Sequence, residues 1–395
     1  MESTFSLEQI SAVVPRIMEW RHSLHRIPEI GNDLPKTLAY VEAALVETGA
    51  TPRRCGKGLI ADFGKSGPLV AIRADMDGLP VEEATGLPYA SVHRGNMHAC
   101  GHDVHTACLL GCAAILRDVE PGFRVRLIFQ PGEEGYFGAL GMINDGCLNG
   151  VGAIVAGHVG DLTEELGPGD IGVIPGAMMA ASDGFEGAFV GVGGHGSAPH
   201  RVRDPTPALA EFVLQCHAFR SREFDQTDPA VVSVCMVSAG SAHNVIPECA
   251  VFKGTVRTLS VENRALAERR LREIGEGIAL ANNLRFTFDW RGGYPPLVND
   301  DRVVNIVRTT ARNMVGQDKV ITLKRPNMGG EDFAYYLQRV PGCFWFVNTQ
   351  NSAKGITAAN HNPRFDVDEE RLAILPLLNL NAAAALARSI QQDEL

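Results

Sequence analysis

"PLVAIRADMD" (residues 68–77), "HTACLLGCAAIL" (105–116) and "RVRLIFQPGEEG" (124–135) set the fold when taken in order. The first and third are short apolar runs bounded by Pro or Gly, as strands usually are. The middle one is apolar nearly all round, which predicts a helix buried on every side. A strand, a buried helix and a second strand make an α/β unit with helices covering both faces of the sheet. Upstream, residues 5–26 predict an amphipathic helix, with Ile10, Val13, Val14, Ile17, Leu24 and Ile27 near helical spacing and Pro28 ending it. "PKTLAYVEAALVETGA" predicts a second helix stopped by Gly49, and "GLIADFG" another strand.

From about residue 182 the pattern changes. "FEGAFVGVGG", "AVVSVCMVSAG", "CAVFKGTVRTL" and "LRFTFDW" predict strands, and "PTPALAEFVLQCHAFRS" and "VENRALAERRLREIGEGIALAN" predict helices. Their order, βαββαβ, is the ferredoxin-like split unit. It predicts an inserted domain over 182–295 and a discontinuous α/β domain over 1–181 and 296–395. In the latter, a helix at "DRVVNIVRTTARNMVG", a Gly-rich turn at "NMGGED" and a strand at "GCFWFVN" resume the α/β pattern.

Composition narrows the class. The chain has 395 residues, 45% hydrophobic and 21% charged, which is the balance of a globular protein long enough for two domains. A net charge of −10 argues against nucleic acid and anionic membrane surfaces as partners. No basic, apolar leader opens "MESTFSLEQI", and no apolar run approaches the length of a membrane span. The nine cysteines lack framework spacing, which predicts reduced thiols and a cytoplasmic location.

The ligand-type residues gather where strands should end. "MHACGHDVHTA" (97–107) holds three of the chain's 12 histidines, and Cys100 and His102 flank a glycine that lets both turn toward one point. Glu133 and Glu134 follow the strand "RVRLIF", His158 ends "AIVAGHVG", and His361 lies in "AANHNPRFD". In open α/β sheets, ligands bind outside the carboxyl ends of strands. One Cys, three His and one Glu are too many for one open catalytic zinc, which takes three protein ligands and a water. They suit two ions sharing a thiolate bridge. With Glu134 as a ligand, Glu133 is free to take a proton from water whose pKa a metal lowers toward about 7, and to pass it to the leaving amine. Taken singly, each residue has a plainer reading: Cys100 as a small core hydrophobe, "EE" as a solvated turn, His158 as a core imidazole bonded to backbone.

In sequence order, "RHSLHRIPEIG", "RADMDGLPVEE", "MHACGHDVHTA", "FQPGEEG", "GGHGSAPH", "HNVIPE", "MGGEDFAYYL" and "HNPRFD" resemble the motifs of M20 metallopeptidases, from about residue 20 to 370. The likeness is to the amidohydrolase branch, which includes hippurate hydrolase, N-acyl-amino-acid amidohydrolases and auxin-conjugate hydrolases. That resemblance implies a di-metal exopeptidase-like catalytic domain with the insert as a lid and dimerisation domain. Cys100, His102, Glu134, His158 and His361 fall where the family binds its metals, and Glu133 on its catalytic acid/base. His195 falls on the lid histidine brought toward the scissile carbonyl, often by the partner subunit of a dimer. Asn244 and Arg257 fall where the substrate carboxylate is met, and an arginine fork suits that group. A turn histidine, a turn asparagine and a surface arginine are the structural readings of these three. Distant relatives carry a histidine ligand near Asp75. Asp77 is expected to orient a ligand, and Asp103 and His105 are similar candidates with a purely structural role equally open. Asn360 and "GNDLPKT" depart from the family pattern without touching a proposed ligand.

The expected cofactors are two divalent ions, zinc favoured by thiolate and imidazole and manganese allowed by the resemblance. The expected reaction is cleavage of an N-acyl amino acid, aromatic and aryl-acetyl acyl groups included, by a homodimer or higher homo-oligomer built through the lid. Three rivals are a dipeptidase with the same site, a metal-dependent binding protein without catalysis, and a thiol protein centred on Cys100.

Overall fold

The computed structural model describes residues 5–395 and divides into two compact units. Among the described residues, one comprises 5–178, 298–327 and 332–395, and the other 179–297 with 328–331.

The first unit is built on an eight-stranded sheet. Its four central strands, in spatial order Arg124–Gln130, Leu69–Asp75, Val151–Val159 and Gly342–Val347, all run parallel. Each is almost wholly buried, which is why their sequences are continuously apolar rather than alternating. Gly58–Phe63 and the hairpin partner Arg53–Cys55 extend one edge antiparallel, and Ile171–Val173 and Val320–Thr322 complete the other. From Leu69–Asp75 the chain steps to one side for its next parallel strand, then crosses to the other side for Val151–Val159. The crevice at such a reversal, outside the strand carboxyl ends, is where open α/β sheets bind ligands.

The buried helix spans His102–Asp118, longer than the apolar run alone suggested. Leu7–His25 packs against it, and Ser6 and Gln9 close a capping box at the start of that outer helix. The C-terminal helix Ile374–Gln391 has no counterpart in the sequence reading, and it corrects the expectation that no run is long and apolar enough for a bilayer. By length and composition alone the segment Glu369–Gln391 passes that test, but 78% of its 18-residue apolar window is buried in the protein's interior. Leu375, Leu378, Leu380, Ala382, Ala383 and Leu386 all join the same core as the central strands.

The second unit is a four-stranded antiparallel sheet in the spatial order Val231–Ala239, Cys249–Thr258, Ala181–Val190, Arg285–Tyr294. With the helices Pro205–Glu223 and Val261–Ala281 the chain order is βαββαβ, the ferredoxin-like arrangement expected from the sequence. Phe185, Phe189, Phe212 and Phe252 fill the core, with Phe286 packed against them. Glycines make room for these rings: a Cβ at Gly254 would stand 2.1 Å from the Phe185 ring, and one at Gly275 2.0 Å from that of Phe286. The first strand starts and stops earlier than expected, so Gly191–Gly194 leaves the sheet and carries His195 into a short ribbon.

Candidate metal centre

Two strand ends, one helix start and the turn at His361 deliver the candidate ligands. Gly101, at φ +90°, is the left-handed residue from which the helix His102–Asp118 begins, and a Cβ there would come within 2.5 Å of Val159. That bend turns Cys100 and His102 to the same side. Strand Val151–Val159 supplies His158, whose Nε2 is 3.4 Å from Cys100 Sγ. Beyond Arg124–Gln130, the next turn supplies Glu133 and Glu134. His361 Nε2 is 3.2 Å from Glu134 Oε1, and His361 itself adopts a left-handed backbone at φ +67°. A non-glycine residue held there is costly and concentrates at functional sites.

Cys100, His102 and His158 offer ligand atoms within 4.8 Å of one another, and so do Cys100, Glu134 and His361. The two triads share one sulfur. The first is buried throughout, whereas the second opens outward through half-buried Glu134 and exposed His361. His102, Glu133 and Glu134 form a further close group, which sets Glu133 beside both triads.

Hydrogen bonds fix which nitrogens are available. His158 Nδ1 lies 2.8 Å from the Val159 carbonyl and His102 Nδ1 2.9 Å from the Asp77 carbonyl. Each must therefore donate from Nδ1, leaving the Nε2 lone pair free to ligate. His102 Nε2 is buried 3.7 Å from Asp75 Oδ2 and has no hydrogen-bond partner among the described residues, a cost that a ligated cation would remove. Burial holds the His158 pKa well below its ordinary value, as a neutral ligand requires. Hydrogen bonds to Cys100 and Glu134 push His361 up to about 10, and burial together with Glu134 pushes the Cys100 thiol up. Without a cation the cluster holds protons on the atoms that would ligate, and metal binding displaces them. The donor set fits two divalent ions.

Around the cluster lies a layer of buried charge. Asp77 accepts the backbone N–H groups of Glu133 and Glu134, both at 3.0 Å, while its own carbonyl holds His102. Asp75 Oδ1 accepts from His105 Nδ1 at 2.6 Å, and His105 Nε2 accepts the Val159 N–H at 3.0 Å, so His105 is spent on bracing the strand end. Although burial opposes it, Arg73, His102 and His105 hold the Asp75 carboxyl well below the usual range. Asp103 faces elsewhere: its carboxylate meets His25 at 2.8 Å and Arg21 at 3.3 Å, so it braces the outer helix rather than a candidate ligand. In the second unit, His195 Nδ1 accepts the Ser197 N–H at 3.2 Å, which leaves its exposed Nε2–H as a donor. The ribbon pairs His195 with Val245, and Gly196 N–H donates to the Asn244 carbonyl at 2.8 Å. Arg257 is half-buried, bonded to Thr255 and the Val256 carbonyl, with no carboxylate paired to it among the described residues.

Sequence reasoning missed Asp332 and Asn360 as contributors. Asn360 Nδ2 donates to the carbonyls of Cys100 and Val159 at 3.1 and 3.0 Å, tying two ligand-bearing segments together. Asp332, from the quoted but unassigned "GGED", accepts from Arg73 Nη2 at 3.0 Å, Gln130 Nε2 at 2.8 Å and the Ala139 N–H at 3.0 Å. Arg73, Asp75 and Asp332 are all essentially without solvent exposure. Asp332→Ala removes one of the two carboxylates on the buried guanidinium, leaving Asp75 at 2.6 Å, and breaking a buried pair costs about 3–5 kcal/mol. Denaturant unfolding of the variant should show a loss of that order, and Asp332→Asn, which keeps one acceptor, a smaller one. A change in Asp332→Ala below 1 kcal/mol would show that the network contributes nothing net.

Residues 71–376 match the Peptidase family M20/M25/M40. The chain is 36% identical over 392 residues to N-acetyl-L-cysteine deacetylase of Bacillus subtilis (strain 168), covering 98% of this chain and 92% of that protein. It is 34% identical to IAA-amino acid hydrolase ILR1-like 4 of Arabidopsis thaliana, covering 95% and 88%. Among solved structures it is similar to the Bacillus subtilis YXEP protein, described as a dinuclear metal binding peptidase from the M20 family. There the TM-score is 0.82 and the identity 33%, with 96% of this chain and 99% of that one covered. The shared sulfur, the imidazoles around it and these likenesses agree: the chain belongs to peptidase family M20/M25/M40, as a metal-dependent amidohydrolase.

Proposed function

We propose that this enzyme cleaves N-acyl amino acids to a carboxylic acid and a free amino acid, with Glu133 as general base and then general acid. The observation that carries the proposal is a buried Glu133 set beside two ligand triads that share Cys100. Cys100, His102 and His158 would hold one ion, and Cys100, Glu134 and His361 the other. Thiolate and imidazole favour zinc, with manganese the alternative. When bound, the ions polarise the scissile carbonyl and make a water acidic near neutral pH. Glu133 takes the proton from that water and delivers it to the departing nitrogen. Asp77 holds the turn that aims it, through the two backbone N–H groups it accepts.

His195, with Nε2–H facing out, is suited to donate to the developing oxyanion. Half-buried Arg257, without a carboxylate of its own, and Asn244 are suited to the substrate's free carboxylate. The edge strand Val231–Ala239, with Met236 61% and Val237 58% exposed, supports pairing with a second copy through this unit. All nine cysteines are free, which supports a cytoplasmic location.

The relatives' names give an N-acetyl amino acid for one and an IAA-amino acid for another, so the acyl group is the variable to scan. The test is turnover of N-acetyl, N-benzoyl and N-arylacetyl amino acids against free-amine dipeptides, using metal-loaded protein. Acylated substrates are expected to turn over and dipeptides to lag. Faster cleavage of dipeptides would replace this reading with a dipeptidase. Two bound metals with no cleavage of either class would sink both.

A further inference from the structure

Cys55 ends the edge strand Arg53–Cys55, and Cys147 follows the helix Gly138–Asn144. Distant in sequence, they meet at one carbonyl. Cys55 Sγ donates to Met142 O at 3.5 Å, and the Cys147 backbone N–H donates to the same atom at 3.1 Å. Cys55 Sγ also lies 3.6 Å from the Asp145 carbonyl, so both of its contacts seat it on the turn that carries Cys147. Neighbouring contacts hold the pair in register: Gly56 N–H donates to Asp145 Oδ2 at 2.6 Å, and Arg126 Nη1 to the Cys147 carbonyl at 3.0 Å. Both cysteines are buried, but Arg53, Arg54, Gly56 and Lys57 around Cys55 are exposed, so the pair lies just beneath the surface at the sheet edge. None of these groups serves the metal cluster.

We propose that Cys55 and Cys147 form a reversible disulfide, a modification site at the outer edge of the catalytic sheet that takes a hydroperoxide as its oxidant. Cys147 pulls the Cys55 pKa below its ordinary value against the effect of burial, with Arg126 and Arg53 adding to the fall, and Cys55 together with burial pushes Cys147 up. Cys55 is thus the attacking thiolate. It attacks a peroxide oxygen, breaking the O–O bond, and becomes a sulfenic acid while water leaves. Cys147 then gives its proton to the sulfenic oxygen and bonds to the Cys55 sulfur, releasing a second water. Two thiols and one hydrogen peroxide give one disulfide and two waters; sulfur is oxidised and peroxide oxygen reduced. A small dithiol reverses the step by exchange.

The loop so closed contains Cys100, His102, Glu133 and Glu134. Cross-linking it removes freedom from the unfolded chain, and long loops gain most. Oxidation is therefore expected to raise the apparent Tm by a few degrees, and the Cys147→Ser variant to lose that rise.

The experiment treats the full, metal-loaded chain with hydrogen peroxide, blocks remaining thiols with N-ethylmaleimide in urea, and maps peptides without reduction. The expected result is a Cys55–Cys147 peptide pair lighter than its free-thiol components by two hydrogens and separated by dithiothreitol. Recovery of both cysteines as maleimide adducts, or of either one linked elsewhere, overturns the proposal. So does a peroxide-induced Tm rise that persists in Cys147→Ser.

Discussion

Glu133→Gln is expected to lower kcat by about 10²–10⁴-fold, the usual contribution of a general acid–base group, while the protein keeps two metals per chain. Glutamine matches glutamate in shape and cannot hold the transferred proton. The backbone bonds from Glu133 and Glu134 to Asp77 do not involve the substituted group, so the turn should stay in place. Glu134, the neighbouring candidate ligand, is untouched. The pH profile separates a lost base from a disturbed fold. In the native enzyme kcat/KM should fall as pH drops and the base is protonated, and that limb should vanish in Glu133→Gln. Metal content by mass spectrometry completes the measurement. A variant that holds two metals and retains a tenth or more of native kcat would remove Glu133 from the base role.

The parts of this molecule that could be read from sequence are those whose physics is local. Strand Leu69–Asp75 and the helix His102–Asp118 announce themselves through apolar runs between Gly and Pro breaks, and Gly101 marks the bend that turns Cys100 and His102 together. The ferredoxin-like unit follows from the order of its elements. What stayed hidden depends on long-range placement. The helix Ile374–Gln391 is apolar on most sides and offers no clear amphipathic stripe, because it is buried nearly all round. Asp332 meets Arg73 and Gln130 across more than half the chain, and no spacing rule links them. Asp103 looked like a partner of the ligand beside it, yet the helix turns its carboxylate toward Arg21 and His25. Asn360 stood out only as a departure from a family pattern. In the structure it ties Cys100 to the end of the His158 strand.

Cys100→Ala should be the most damaging single change to metal binding, because the two triads have only that sulfur in common. Removing a mere hydrogen-bond partner of a metal ligand already costs about 10–100-fold in affinity. Deleting a shared ligand should exceed the upper figure for both ions, leaving the protein with less than one metal after dialysis and no measurable turnover. His361→Ala is the contrasting case. It touches only the outward-facing triad, so the buried ion held by Cys100, His102 and His158 should remain and the stoichiometry should fall to one. The pair of variants distinguishes a bridge from a terminal ligand. If Cys100→Ala still binds two ions at native affinity, water or Glu134 joins the metals and the sulfur is dispensable. Cys100→Asp tests the chemistry of the bridge itself. A carboxylate can span two cations but is a harder donor than a thiolate, so recovered binding should shift in preference from zinc toward manganese.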